Sequence, residues 1–521
     1  MLPLSLLLVP LACTGPADAP VGVADPAPGP RPNFVVIDID SMRADRMPLS
    51  RDGAVVTPTL ARLAREGVVF MQAYSQSGWT LPALLSLLSG RYPQGVSAGP
   101  TGRVTLELPE RSLPEILALY GYDTVGMWGS TLPSNDPSIL GAFSRKLEAS
   151  LDTPDPLNDP IVAYLDGKPA EPFLLYLHAI DLNSVPAYVP DAALHRWTDP
   201  HPHKATSQLQ DLFWELHATL GPDLATTHTT SHYDGVLSWY DAGLGRVLDT
   251  LDRTGLASNT VVIFTSEHGQ ELGERGTIGH HGSQYDTVLH VPLVVRDPAL
   301  PGGRVVTSTV ESIDLAPTVL ARAGIPVDRQ MDGRSWLPLL GSAPAAWPPR
   351  EVYSYSAREA LSVRTDRWKL AIHAKTCPPT TDGAPRTCGE LYDLVADPAE
   401  TANVGDANPA VRADLTAKLE AWGQARIRDG TAPEEDPRLV AALKSGGYWG
   451  MVVRAEDLPR IQPGDAPPLD GNLIPAGAPR PGEKLVPPSP DAWRKAAPPP
   501  SSAAIETPEE RRARRRAQEG E

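Results

Sequence analysis

At 521 residues, with 41% apolar and 21% charged side chains, the chain has the composition of a globular protein with room for one large core and a small appendage. Its formal net charge of −17 excludes a general nucleic-acid binder, which needs a basic surface to neutralise phosphates. An acidic surface of this kind chiefly confers solubility.

In chain order, Leu2 to Ala12 is an apolar run too short to span a bilayer and is followed by Cys13, so it reads as a signal segment. Leu11-Ala12-Cys13 resembles a bacterial lipoprotein cleavage site, which would leave Cys13 as a lipidated first residue tethered through the Pro- and Ala-rich stretch 14–31. A cleaved secretory signal and a cytoplasmic protein are the other two readings. Phe34 to Ile39 is an apolar, β-branched run that predicts a buried strand, with Asp38 and Asp40 near its carboxyl end, where ligands sit in open α/β sheets. Thr57 to Gly67 predicts a helix, and Val68 to Ala73 the next strand.

The stretch from Ser77 to Pro93 places the Thr80 hydroxyl in front of an apolar helix. Pro82 suits the first turn, leucines 84, 85, 87 and 88 recur at helical spacing, and Gly90 is the stop. Thr80 is then either an ordinary capping hydroxyl or a nucleophile at the positive end of a helix dipole. Ser112 to Leu119 reads as a helix, Thr124 to Trp128 as a strand, and Phe173 to Ile180 as another buried strand carrying His178 into Asp181. Between Pro186 and Thr230 the pattern loosens into a polar insertion. His195, His201 and His203 read there as solvated loop residues, since no regular spacing links them to a carboxylate. His228 and His232, four apart, share a helix face that reads as exposed.

Tyr233 to Leu251 is helical in spacing, and Thr260 to Thr265 predicts a central strand that ends at Glu267-His268. Gly269 to Gly282 has the character of a loop over a site, and Ser312 to Ala323 is helical. Beyond Arg350 come strand-like pieces at 360–364, 368–373 and 391–394 and a helix from Pro409 to Ile427. Cys377 and Cys388 bracket a short loop that suits a hairpin disulfide in an oxidising compartment better than a metal site. From Thr431 onward Pro, Ala and charge dominate without periodicity, and the arginines between 511 and 516 read as part of a solvated tail.

Several ordered segments resemble the sulfatase family of the alkaline phosphatase superfamily, from Asn33 to about Asp429. They are the strand through Asp40-Ser-Met-Arg43-Ala-Asp45, the helix from Thr57, the Thr80 helix ending Ser-Gly-Arg-Tyr-Pro, Phe264-Thr-Ser-Glu267-His268-Gly, Gly279-His280-His281-Gly282 with Tyr285, and Gly389 to Pro398. The resemblance implies an α/β/α sandwich with a large mixed sheet and a small C-terminal antiparallel subdomain. The resulting division is a signal or lipoprotein segment 1–13, a linker 14–31, a catalytic domain 32–349, the subdomain 350–430 and a Pro-rich tail 431–521.

The same resemblance assigns roles. Asp40, Glu267 and His268 are similar to the family's metal ligands, with Asp38 an extra one; the ion is divalent, Ca, Mg, Mn or Zn. Thr80 stands at the nucleophile position, His281 matches the residue that touches the ester oxygen with His280 as its substitute, and His178 lies on a strand that carries another site group.

Several positions depart from the pattern. The usual nucleophile is a Cys or Ser oxidised to formylglycine, which Thr cannot become, so Thr80 points to a divergent member and to attack on phosphorus. Ser41 replaces a second Asp, Leu84 an Arg, Asn183 a His and Glu267 an Asp, and Trp128-Gly129-Ser130 has no counterpart of a sulfate-contacting Lys. The expected function is an exported, metal-dependent hydrolase of sulfate or phosphate esters of small molecules, glycans or lipids, in the periplasm or anchored at the outer membrane of a bacterial envelope. The alternatives are a degenerate member that binds an anionic glycan or lipid headgroup, and a phosphotransferase that uses Thr80. No nucleic-acid partner is expected, and oligomeric state is not legible.

Overall fold

The computed structural model describes residues 31–51, 54–93, 112–129, 142–149, 155–182, 189–197, 209–280, 283–327, 331–341, 347–356, 360–372 and 389–426. The signal segment with Cys13, the linker up to residue 30, Cys377 and Cys388, His201, His203, His281 and the tail all lie outside these residues.

The centre of the fold is an eight-stranded sheet. Its strands are β1 (Asn33–Asp40), β2 (Val68–Phe70), β3 (Asp123–Trp128), β4 (Arg145–Leu147), β5 (Phe173–Asp181), β6 (Thr260–Thr265), β7 (Leu293–Arg296) and β8 (Arg304–Val306), in the spatial order β8-β2-β7-β6-β1-β5-β3-β4. β1 runs parallel to β5 and β6, while β7 is antiparallel to β6 and β2, so the sheet is mixed as expected. Its central strands are buried on both faces, which explains their unbroken apolar runs.

Side chains alternate across β1. Val35, Ile37 and Ile39 face one helical layer, made of α1 (Pro58–Glu66), α4 (Asn158–Asp166), α5 (Leu209–Leu220) and α6 (Pro222–Thr254). Phe34 and Val36 face the other, made of α2 (Thr80–Ser89), α3 (Leu113–Leu119) and α7 (Leu315–Arg322). A second, four-stranded antiparallel sheet follows: β9 (Val352–Ser356), β10 (Ala360–Arg364), β11 (Trp368–Ile372) and β12 (Gly389–Asp393), packed by α8 (Pro409–Arg426) through Leu415 and Leu419. No helix among the described residues is long and apolar enough to cross a membrane.

Two regions differ from expectation. The stretch read as a polar insertion contains α5 and the first turns of α6, a helix of 33 residues that begins at Pro222. His228 and His232 are buried on it rather than exposed, at 0% and 4% exposure, with the His195 ring 5.0 Å from that of His232. Most of the helix from Thr227 to Leu251 is buried, so it has little free face, and its polar Thr and His residues mask this in the sequence.

The small subdomain is tied to the loop that precedes β7. Asp286 pairs with Arg364 at 3.1 Å and with Lys369 at 2.7 Å, and Lys369, 1% exposed, also pairs with Glu400 at 2.7 Å. Tyr285 donates to Glu390 at 3.0 Å, and Ser362 donates to Gln284 at 2.9 Å. Burial opposes ionisation of Asp286, yet Arg364 and Lys369 hold its carboxyl well below the usual range.

Asp241 of α6 accepts the backbone N–H groups of Thr59 at 2.9 Å and Leu60 at 2.8 Å, and so caps α1 from a neighbouring helix. Burial pushes this carboxyl up to about 7, although both N–H groups favour the ionised form. The folded state therefore holds a proton between about pH 4 and 7 that the unfolded chain has released, and this contribution to stability is lost as pH rises through that window. Urea unfolding should show wild type losing at most about 4 kcal/mol relative to Asp241→Asn as the pH is raised from 4 to above 7. Parallel pH profiles of the two proteins would contradict this.

Candidate active site

The site forms at the carboxyl ends of three neighbouring parallel strands. Asp38 of β1 lies in register with His178 of β5 and with Thr265 of β6, two residues before Glu267. The register shifts between Asp38 and Asp40, and the chain then turns at Ser41 with φ of 66°. Ser41 Oγ donates to Asp40 Oδ1 at 2.9 Å. Tyr233, reaching across from α6, donates to Ser41 O at 2.7 Å and accepts the Arg43 N–H at 3.0 Å. On the other side of the site, Ser266 Oγ lies 2.6 Å from both Ile39 O and His268 O and accepts the Met42 N–H. These bonds hold both turns, and with them the carboxyl groups they carry.

Thr80 is the first residue of α2, which closes at Gly90 in the left-handed region as its sequence predicts. The hydroxyl sits where the first-turn amides lack acceptors within the helix. It is 0% exposed, and its Oγ1 lies 3.1 Å from His268 Nε2. The tautomer follows from the other ring nitrogen. His268 Nδ1 is 3.0 Å from Gly269 O, a carbonyl that can only accept, so Nδ1 carries the proton and Nε2 presents its lone pair. Thr80 therefore donates to His268.

That lone pair also faces Asp40 Oδ1 at 3.9 Å and Glu267 Oε1 at 3.8 Å. Burial, with His280 and His178 as neighbours that oppose its protonation, holds His268 neutral well below its ordinary range. Burial, reinforced by Asp38, pushes the Glu267 carboxyl well above its own. A neutral imidazole lone pair converging with two buried carboxyl groups and a hydroxyl could hold a divalent cation, and Asp40, Glu267 and His268 have ligand atoms within 4.8 Å of one another. Among the described residues Glu267 Oε2 has no hydrogen-bond partner although it is fully buried, which suits a cation ligand.

His178 and Asp38 join the same centre from below. His178 Nε2 is 3.3 Å from Glu267 Oε1 and 4.0 Å from Asp40 Oδ2. Tyr176, which the sequence reading missed, donates to Asp38 Oδ2 at 2.6 Å. The alternation of β5 places Tyr176 on the face of His178, and that period was the available signal. Tyr233 gave no signal, since nothing in a helical pattern reveals which strand turn a tyrosine reaches.

His280 is buried, and its ring stacks on that of His268 with centroids 4.2 Å apart. Its Nδ1 donates to Gly78 O at 2.8 Å, two residues before Thr80. The approach is close: a Cβ on Gly78 would stand 2.8 Å from Val288 and 3.1 Å from the His280 carbonyl. Burial lowers His280 to about 4, so at neutral pH it supplies no positive charge. Its neutral form stabilises the fold above about pH 6.5, and that contribution is lost as pH falls toward 4. In NMR of ring-labelled protein, the His280 resonances should hold steady between about pH 5 and 8, whereas an ordinary titration near 6.5 would show the ring to be solvated.

Comparison with known proteins identifies the family. Residues 32–325 match the family described as Sulfatase, and residues 276–425 match the N-sulphoglucosamine sulphohydrolase C-terminal family. The multifunctional alkaline phosphatase superfamily protein PehA of Trinickia caryophylli is 26% identical over 502 residues, covering 75% of this chain and 95% of that protein. The N-acetylglucosamine-6-O-sulfatase of Bacteroides thetaiotaomicron is 23% identical over 510 residues, covering 78% and 89%. The solved phosphonate monoester hydrolase of Agrobacterium radiobacter superposes with a TM-score of 0.59 at 22% identity, covering 76% of this chain and 96% of that one, and shares its fold. With the first of these matches spanning more than half its length, the chain belongs to the sulfatase family.

Proposed function

We propose that the chain is a metal-dependent hydrolase of phosphate or sulfate esters in which Thr80 is the nucleophile, with phosphorus esters favoured. The observation that carries this is the Thr80 hydroxyl at a helix N-terminus, 3.1 Å from a His268 nitrogen whose lone pair also faces Asp40 and Glu267. Ester hydrolysis is supported by the family and by relatives named as sulfatases and a phosphonate monoester hydrolase. A divalent ion held by Asp40, Glu267 and His268 would lower the pKa of the Thr80 hydroxyl and neutralise ester oxygens.

Thr80 Oγ attacks the central phosphorus as the bond to the leaving ester oxygen breaks, and that oxygen takes up a proton. Water then cleaves the threonine ester and restores the hydroxyl. Direct attack follows from the methyl on the Thr80 β-carbon, which forbids oxidation to an aldehyde, and it forms a covalent adduct that an aldehyde hydrate would not leave on threonine. His281, by its place in the sequence, is our candidate for contact with the leaving oxygen. His268 itself is a weak base because burial disfavours its protonation, so we assign it the role of a metal ligand, whose one Nε2 lone pair would pass from the Thr80 hydroxyl to the ion. We further place the protein in a bacterial envelope, exported through its N-terminal segment and lipidated at Cys13.

Purified protein should turn over phosphate monoester, diester or phosphonate ester substrates once a divalent ion is added, and chelation should remove the activity. Thr80→Ala should lower turnover on the order of a thousandfold or more, while Thr80→Ser retains part of it. Mass spectrometry of the acid-quenched reaction should find a phosphoryl group on the peptide containing Thr80. Undiminished turnover in Thr80→Ala would overturn this role, and anion binding without turnover of any ester would favour the degenerate reading.

A further inference from the structure

Thr80 and His268 stand 188 residues apart in the chain, so the 3.1 Å between the hydroxyl and the ring depends on how two separate backbones are held. Both backbones pack against the same stretch, residues 280 and 283–288. The N–H groups of Gly269 and Gln270 donate to Val288 O at 2.6 Å and to Thr287 O at 3.0 Å. A Cβ on Gly269 would stand 2.2 Å from that Thr287 carbonyl, and one on Gly78 would stand 2.8 Å from a methyl of Val288. Glycine permits both approaches, so the turn that carries His268 and the loop that leads into Thr80 are pressed onto one stretch of chain.

His280 is a side chain of that stretch that touches both, and it is 1% exposed. Its Nδ1 donates to Gly78 O at 2.8 Å, two residues before the nucleophile. Its ring lies against that of His268, with centroids 4.2 Å apart and 22° between the planes. The bond from His268 Nδ1 to Gly269 O fixes one edge of the His268 ring, and a tilt about this edge would swing Nε2 away from Thr80. The stacked His280 ring stands in the way of such a tilt. The Gly78 bond also limits what His280 can do. In a neutral imidazole the single proton then sits on Nδ1, so Nε2 has none to give to a leaving oxygen.

We propose that His280 is a positioning residue for the Thr80 reaction: it fixes the nucleophile's loop through Gly78 and the His268 ring by stacking, and so sets the two reacting segments against each other. This inference deepens the reading of Thr80 as nucleophile and rests on it. The contribution is to the alignment of groups that react and not to the hold on the ester, so it belongs in kcat and leaves KM nearly unchanged.

The test uses the full chain with Mn²⁺ and a series of aryl phosphate esters whose leaving groups run from nitrophenol to phenol. His280→Ala removes both contacts. His280→Asn keeps an N–H donor where Nδ1 stood and removes the stack. Kcat should fall on the order of a hundredfold in His280→Ala and about tenfold in His280→Asn, with KM within about threefold of wild type and the same factor for every leaving group. A readout without turnover comes from NMR of metal-free, ring-labelled protein. The His268 ring should give one sharp set of resonances in wild type and broadened or doubled ones in both variants. Circular dichroism checks folding, and if His280→Ala does not fold, the leaving-group series and the spectrum of His280→Asn decide alone. A loss that grows as the leaving phenol becomes more basic would make His280 the group that protonates the leaving oxygen and overturn the positioning role. Turnover within about twofold of wild type in the folded variants, with the His268 resonances still sharp, would reduce His280 to packing and leave the proposed function in place. Absence of wild-type turnover on every ester would overturn that function and the role of His280 with it.

Discussion

Three carboxyl groups brought together out of water are the constraint around which this molecule is built. Asp38, Asp40 and Glu267 are at most 1% exposed, and the parallel register of β1, β5 and β6 leaves them no freedom to separate. An arrangement of this kind costs folding energy unless it is neutralised, and among the described residues it meets the hydroxyls of Ser41, Thr80 and Tyr176 and the imidazoles of His178 and His268. These groups set the geometry, and a bound cation or a shared proton would neutralise it. The surrounding bonds make sense in this light, because the Tyr233 and Ser266 contacts fix two strand-end turns that electrostatic repulsion would otherwise spread.

Much of this was legible in the sequence. Unbroken apolar runs identified β1, β5 and β6, and the strand-end positions of Asp40, His178 and Glu267 followed from them. The Thr80 helix was marked at both ends, by Pro82 in its first turn and by Gly90 in the left-handed conformation. Local chemistry dictates such features, so local reading finds them.

What was not legible depends on contacts between distant segments. α6 hides its amphipathic pattern because polar Thr227, Thr229, Thr230 and His228 are buried on it, so the apolar period of 3.6 fades there. Tyr176 and Tyr233 are donors to the centre only because particular strands and helices meet, and no spacing rule carries that. His280 stood in the sequence as a substitute for His281 at the ester oxygen. Its burial beside His268 makes it neutral instead, a property of the packed state alone.

The loop that bears His280 runs directly into Gln284, Tyr285 and Asp286, which the small sheet grips through Ser362, Glu390, Arg364 and buried Lys369. One edge of the reaction centre is thus braced by the C-terminal subdomain, which contributes none of the candidate ligands. The conformational entropy of that edge is surrendered during folding, so an arriving ester need not immobilise it. The second sheet is in this sense a device for preorganisation, and its sequence can drift in its exposed strands while the gripping residues remain under the same demand as the site itself.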